Sequence, residues 1–215
     1  MDFEKIIYTT AVWIIPVVFA ITVHEVAHGW VANKLGDKTA KMMGRLTLNP
    51  IKHIDPIGTI VVPLVMVFLA GFAFGWAKPV PVSPVNFKNP RKDMAIVAAA
   101  GPLSNVAMAI MWVIFIKAVS MTVSDLNIAK GLMQMGQAGI IINLVLFVFN
   151  LFPIPPLDGS KVLSGFLPHS ASLFMDKLEP YGFFIVIGLL YFGVLGMVMN
   201  PIINYFMGSI QSLLF

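Results

Sequence analysis

The pentapeptide His24-Glu25-Val26-Ala27-His28 carries the side chains of this chain best suited to chemistry. On a helix, two histidines four residues apart lie on one face, one turn from each other. Two imidazoles at that spacing can chelate one metal ion. Glu25 sits beside the first histidine but off the line of the ligands. A carboxylate there suits a general base that takes a proton from a metal-activated water without binding the metal. The motif directly follows residues 6–23, which contain no charged side chain. Ionisable groups at the end of a membrane-length segment are costly and read first as a functional site. The alternative, a polar cluster that only marks a helix end at the lipid surface, is the weaker reading on that ground.

A catalytic zinc takes three protein ligands and keeps one position open. The chain has no cysteine, which excludes disulfides and thiolate sites and leaves His, Asp and Glu as ligands. Asp158 is the best third candidate. It ends a long uncharged run and lies in Pro153-Ile154-Pro155-Pro156-Leu157-Asp158-Gly159, where prolines break a helix and free backbone to line a cavity. Asp158 could instead cap a short helix starting at Gly159. Its pairing with an intramembrane His-Glu motif favours the ligand role. The expectation is one Zn2+ per chain, held by His24, His28 and Asp158, with Glu25 as catalytic base. Histidine and aspartate do not select zinc uniquely among divalent ions.

The elements that must bring these residues together are apolar. Of the 215 residues, 58% are hydrophobic and 11% charged, against roughly 25% charged in soluble domains. This is the composition of an all-α polytopic membrane protein, read as a single domain over 1–215. The net charge of +4 is spread over the loops with no dense basic run, which argues against nucleic acid as a partner. The N-terminus lacks a strongly basic stretch, so the first apolar run is read as a retained helix and not a signal peptide.

The first helix is expected from about residue 6 to 32, with Pro16 inside it. A polar loop over 33–55 follows. Residues 57–77 are long enough to cross a bilayer but are punctuated by Gly58, Pro63, Gly71 and Gly75. Alternating Pro and Val at 78–86 predict an extended segment. Residues 94–116 form a clear span, 117–130 a loop, and 132–157 a span ending in the proline break. Residues 181–215 read as a crossing plus a short returning helix, interrupted at Asn200-Pro201. About four to six membrane helices result.

Direction supplies a check. The His-Glu motif and Asp158 each end their apolar run, so their helices must run the same way to share a metal. One crossing, 94–116, then fits between them, and 57–77 must enter and leave on one face as a re-entrant hairpin. That arrangement puts eleven of the fourteen Lys and Arg residues on the metal face, whereas a full crossing would divide them seven and seven. Positive residues favour the cytoplasm, so the hairpin arrangement places the metal face there.

These residues resemble the site-2 protease family of intramembrane zinc metalloproteases. The resemblance rests on four pieces in order: H-E-V-A-H at 24–28, N-P-I-K-H-I-D-P-I-G at 49–58, G-P-L-S-N at 101–105, and N-L-F-P-I-P-P-L-D-G at 150–159. It implies hydrolysis of peptide bonds in transmembrane or membrane-proximal segments of protein substrates. It implies the same ligands and base, and a multi-pass location in a bacterial inner membrane. It further implies a short form, since no stretch is free for a PDZ or CBS module. A helix that some relatives place before the His-Glu motif is expected to be absent. The rival reading is a non-enzymatic metal-binding membrane protein, a transporter or a substrate-holding pseudoprotease. An intact Glu25 beside the ligand spacing favours the enzyme.

Three further polar residues carry open readings. Asn150 could hold substrate backbone or the oxyanion, as an Asn stands here in the family motif, or form an interhelical hydrogen bond. His53 could donate to the oxyanion or hold a second metal position, or be an interfacial loop histidine. Asn105 reads more readily as helix packing.

Overall fold

The computed structural model describes residues 3–70 and 75–214. Helix α1 spans Phe3–Lys34 and carries the His-Glu motif in its last third, with Pro16 inside and fully buried. Gly36, at φ 115°, turns the chain out of α1. A short α2, Thr39–Met42, lies within the expected loop.

Two side-chain caps then organise the polar stretch. Asn49 accepts from Ile51 N and starts a 3-10 turn, Pro50–His53. Asp55 accepts from Ile57 N and Gly58 N and starts a π-helical turn, Pro56–Val61. That turn runs into α3, Val62–Ala70. The chain returns beside its own start: Trp76 N donates to Gly58 O at 3.0 Å, and Thr59 Oγ1 donates to Trp76 O at 2.9 Å. The two ends of the expected hairpin are therefore adjacent, while its tip at 71–74 lies outside the described residues. The proline-rich segment continues without regular structure through residue 83. Its last three residues, Pro84–Asn86, form a 3-10 turn instead of continuing extended.

Helices α4 (Pro90–Thr122) and α5 (Leu126–Asn150) form the centre. The loop expected at 117–130 shrinks to residues 123–125. Helix α4 runs on to Thr122, and Asp125, whose carboxylate accepts from Asn127 N and Ile128 N, starts α5 early. After the proline break come α6 (Asp158–Phe166), α7 (His169–Tyr191) and α8 (Val194–Leu214). The last interruption falls at Gly193, φ 72°, and not at Asn200-Pro201, which lies inside α8. Glycine tolerates that left-handed conformation, so α7 and α8 meet at 72° there.

The fold is helical throughout, with no strand among the described residues. Among the described residues three helices, α1, α4 and α5, are long and apolar enough to cross a bilayer, and the bent α7–α8 pair makes at most a fourth. α4 packs against α1, α5 and α6. Small buried residues line these contacts, among them Ala20 and Ala32 on α1, Ala98 and Gly101 on α4, and Ala138 and Gly139 on α5. They let helix backbones approach closely, which is how membrane helices gain packing energy without a hydrophobic drive between them.

Candidate metal centre

The unbroken helix through α1 puts His24 and His28 one above the other, with Nε2 atoms 3.0 Å apart. Asp158 is the first residue of α6, and its side chain caps nothing. Its carboxylate instead reaches the histidines: Oδ2 lies 3.1 Å from His24 Nε2 and 3.3 Å from His28 Nε2. The three residues form a potential metal-binding group. Both rings are buried, and the Asp158 side chain is 15% exposed.

The other ring nitrogens decide what these atoms are. His28 Nδ1 lies 2.8 Å from Val97 O on α4. A carbonyl only accepts, so His28 Nδ1 carries a proton, and in the neutral ring its Nε2 presents a lone pair. His24 Nδ1 lies 2.7 Å from Asn105 Oδ1. The Asn105 amide is oriented by a chain of bonds with a fixed end. Asn143 Nδ2 donates to Gly139 O at 2.8 Å, and Asn105 Nδ2 donates to Asn143 Oδ1 at 2.9 Å and to Ala20 O at 3.3 Å. The chain ends on main-chain carbonyls, so its polarity runs one way and Asn105 Oδ1 accepts from His24 Nδ1. Both asparagines are fully buried.

With both rings neutral, as metal ligation requires, two imidazole lone pairs and one carboxylate oxygen converge. Asp158 Oδ2 is buried and lacks a directed donor. Three acceptors at 3.0–3.3 Å repel one another unless a cation lies among them. Their separations match the edge of about 3.3 Å of a tetrahedron with bonds of about 2.0 Å, the geometry of zinc with N and O ligands. The donor set therefore fits a zinc ion. The ring orientation also follows the rule that ligating histidines donate their second N–H to an acceptor behind them.

Helix α4 must come unusually close to make this shell. At Gly101, a Cβ would run into His28 Nε2 and Cε1 and sit 2.6 Å from His24 Cε1. Only glycine leaves room for both rings there.

Glu25 is half-buried on α1, and its Oε2 accepts from Val80 N at 2.8 Å. His53 is buried outside the three-residue group, with Nε2 2.9 Å from Thr47 O. Asn150 lies at the end of α5, its Nδ2 donating to Leu146 O of its own helix at 3.0 Å. Asn105, read from sequence mainly as packing, bonds across to α1 and α5 and also contacts a candidate ligand directly. Asn143 and the Val97 carbonyl were not singled out. The only sequence signal for Asn143 was an amide inside an uncharged span, and a main-chain acceptor leaves none.

Residues 117–192 match the model for Peptidase family M50. Over 204 residues the chain is 41% identical to the protein named "Putative zinc metalloprotease YwhC" of Bacillus subtilis (strain 168), covering 93% of this chain and 89% of that one. Rip2 of Mycolicibacterium smegmatis (strain ATCC 700084 / mc(2)155), named in the same terms, is 27% identical over 175 residues, 80% of this chain and 63% of that one. MJ0611 of Methanocaldococcus jannaschii, again so named, is 36% identical over 102 residues, 46% of this chain and 50% of that one. No solved structure matches the chain.

Proposed function

The chain belongs to peptidase family M50, the site-2 protease family, and from that premise we propose that it is an intramembrane zinc endopeptidase. Its substrates are transmembrane or membrane-proximal segments of other membrane proteins. The observation that carries the reading is the meeting of His24 Nε2, His28 Nε2 and Asp158 Oδ2 at tetrahedral-edge separations.

In this reading His24, His28 and Asp158 hold one zinc ion, and the whole of 1–215 acts as one catalytic domain. Bound zinc supplies a Lewis acid that polarises the scissile carbonyl and lowers the pKa of water toward about 7. Glu25 takes the proton of the attacking water on its carboxylate and later delivers it to the leaving amine. Asn105, backed by Asn143, holds His24 in the Nδ1–H tautomer, and the Val97 carbonyl does the same for His28. Asn150 at the end of α5 and His53 at the loop are candidates to contact substrate backbone or the developing oxyanion. The adjacent ends of the 57–77 segment, at Gly58 and Trp76, support a reading in which it enters and leaves on the face that carries His24, His28 and Asp158. In this reading the site faces the cytoplasm of a bacterial cell membrane, an orientation that the Lys and Arg distribution supports.

The test is purified full-length protein with a panel of single-span substrates, comparing wild type with Glu25→Gln and with chelator-treated protein. Cleavage by wild type alone is expected, with zinc still bound by Glu25→Gln. Cleavage retained in Glu25→Gln removes the mechanism. Stoichiometric zinc with no substrate of the panel cut favours the non-enzymatic rival.

A further inference from the structure

We propose that residues 78–83 form a strap whose Val80 N–H positions the Glu25 carboxylate. The proposal rests on the reading of Glu25 as the base and adds a main-chain group to it.

The sequence Lys78-Pro79-Val80-Pro81-Val82-Ser83 is poor in backbone donors, since proline has no N–H. Val80 carries the one amide hydrogen between Lys78 and Val82. That hydrogen goes to Glu25 Oε2, at 2.8 Å, across 55 positions of sequence. A hydrogen bond to an ionised carboxylate is among the strong ones. It occupies one carboxylate oxygen and leaves the other to receive a proton.

The strap is clamped on both sides of this contact. Before it, Lys78 N donates to His53 O at 2.9 Å. Arg45 Nη2 donates to Lys78 O at 2.8 Å and to Pro79 O at 3.4 Å. After it, Ser83 N donates to Asp37 Oδ2 at 2.7 Å. Arg45 and Asp37 are both buried, and Asp37 Oδ1 is itself held by Thr39 N and Asn86 Nδ2. Buried, multiply bonded anchors of this kind fix a backbone in one place.

Helix α1 is shaped to receive the strap. Gly29 lies one turn beyond Glu25 on the same face. A Cβ at Gly29 would lie 2.8 Å from Val80 Cγ1 and 2.6 Å from Leu46 Cδ2. The bare Cα lets Val80 settle on α1, where it is 7% exposed and its amide reaches Glu25. A glutamate has three rotatable bonds, and a base must be held in one geometry to act at full rate. The loop histidine's carbonyl, Arg45 and Asp37 thus reach the base through the strap.

Two measurements on the full zinc-loaded chain in nanodiscs test this. The first compares Val80→Pro, which removes the N–H, with Val80→Ala, which keeps it and loses side-chain contact. Expected is a kcat at least about tenfold lower for Val80→Pro than for Val80→Ala, with KM and zinc affinity equal within twofold. Equal kcat values overturn the proposal, and so does a higher kcat in Val80→Pro, which would mean the strap withholds the base. If Glu25→Gln is inactive and wild type cleaves, either overturning result leaves the protease reading intact. The second follows hydrogen exchange of the 15N-labelled Val80 amide, which needs neither substrate nor a folded Val80→Pro variant. Exchange at least about tenfold faster in Glu25→Ala than in wild type supports the bond, and unchanged exchange overturns it.

Discussion

Replacing Asn105 with leucine tests the shell behind the zinc ligands. The two side chains are similar in size, so the packing of α1, α4 and α5 is largely kept. Three hydrogen bonds go: from His24 Nδ1 at 2.7 Å, to Asn143 Oδ1 at 2.9 Å and to Ala20 O at 3.3 Å. Ala20 O keeps its helical partner. Two buried groups are left, the His24 Nδ1–H and Asn143 Oδ1. Without metal, His24 escapes by moving its proton to Nε2, which then faces Asp158 Oδ2 at 3.1 Å. Binding zinc forces the proton back to a buried Nδ1 that has lost its acceptor. An unsatisfied buried donor costs about 1–3 kcal/mol. The loss appears as weaker zinc binding by about 5- to 150-fold, in line with the roughly 10- to 100-fold typical of removing such a partner. Asn143→Leu stands one bond further back, and Asn105 keeps its bond to Ala20 O, so its effect is smaller. The assay is zinc competition against a chromophoric chelator on detergent-solubilised chain, with thermal melting in excess zinc to confirm folding. A folded Asn105→Leu protein with wild-type zinc affinity would refute the tautomer argument.

Other perturbations address the remaining contacts. Gly101→Ala puts a methyl against both rings, so α4 or the histidines must shift, and stability with bound zinc falls by about 1–3 kcal/mol; a melting temperature equal to wild type would contradict the close approach. Asp158→Asn removes the one anionic member of the group, and zinc titration is expected to show affinity lower by at least about tenfold with α6 intact by circular dichroism, since Asp158 caps nothing. Asp37 tests the strap's anchor by pH. Burial works to raise its pKa, but bonds from Thr39, Ser83 and Asn86 outweigh that and hold the carboxyl below its ordinary value of about 3.9. A lowered folded-state pKa means stability that is present above the ordinary value and lost as pH falls through the folded one. The melting-temperature gap between wild type and Asp37→Asn should therefore be constant at neutral pH and close as pH drops below about 4; a gap that does not change with pH would exclude the anchor.

Much of the architecture was legible before any coordinates. Uncharged runs and a proline cluster are one-dimensional signals, and they located α1, α4, α5 and the break before α6. Two of the errors fell where local residues set a boundary. Asp125 started α5 early while α4 ran on to Thr122, which together erased most of a loop, and Gly193 rather than Asn200-Pro201 bent the last helices. Caps and left-handed glycines act over three or four residues, and hydropathy averages over many more.

By itself the sequence determined which residues had the chemistry: two imidazoles at helical spacing, an adjacent carboxylate, and an aspartate freed by prolines. Spacing along one helix is fixed by the 3.6-residue turn, so that much needs no tertiary structure. What only the fold decided is the state and support of those groups. The tautomers of His24 and His28 depend on Asn105 and Val97, brought from α4. The hold on Glu25 depends on a main-chain amide 55 positions away, and backbone donors are the same for every residue but proline. No side-chain pattern announces such partners, because they are made by packing and not by residue type.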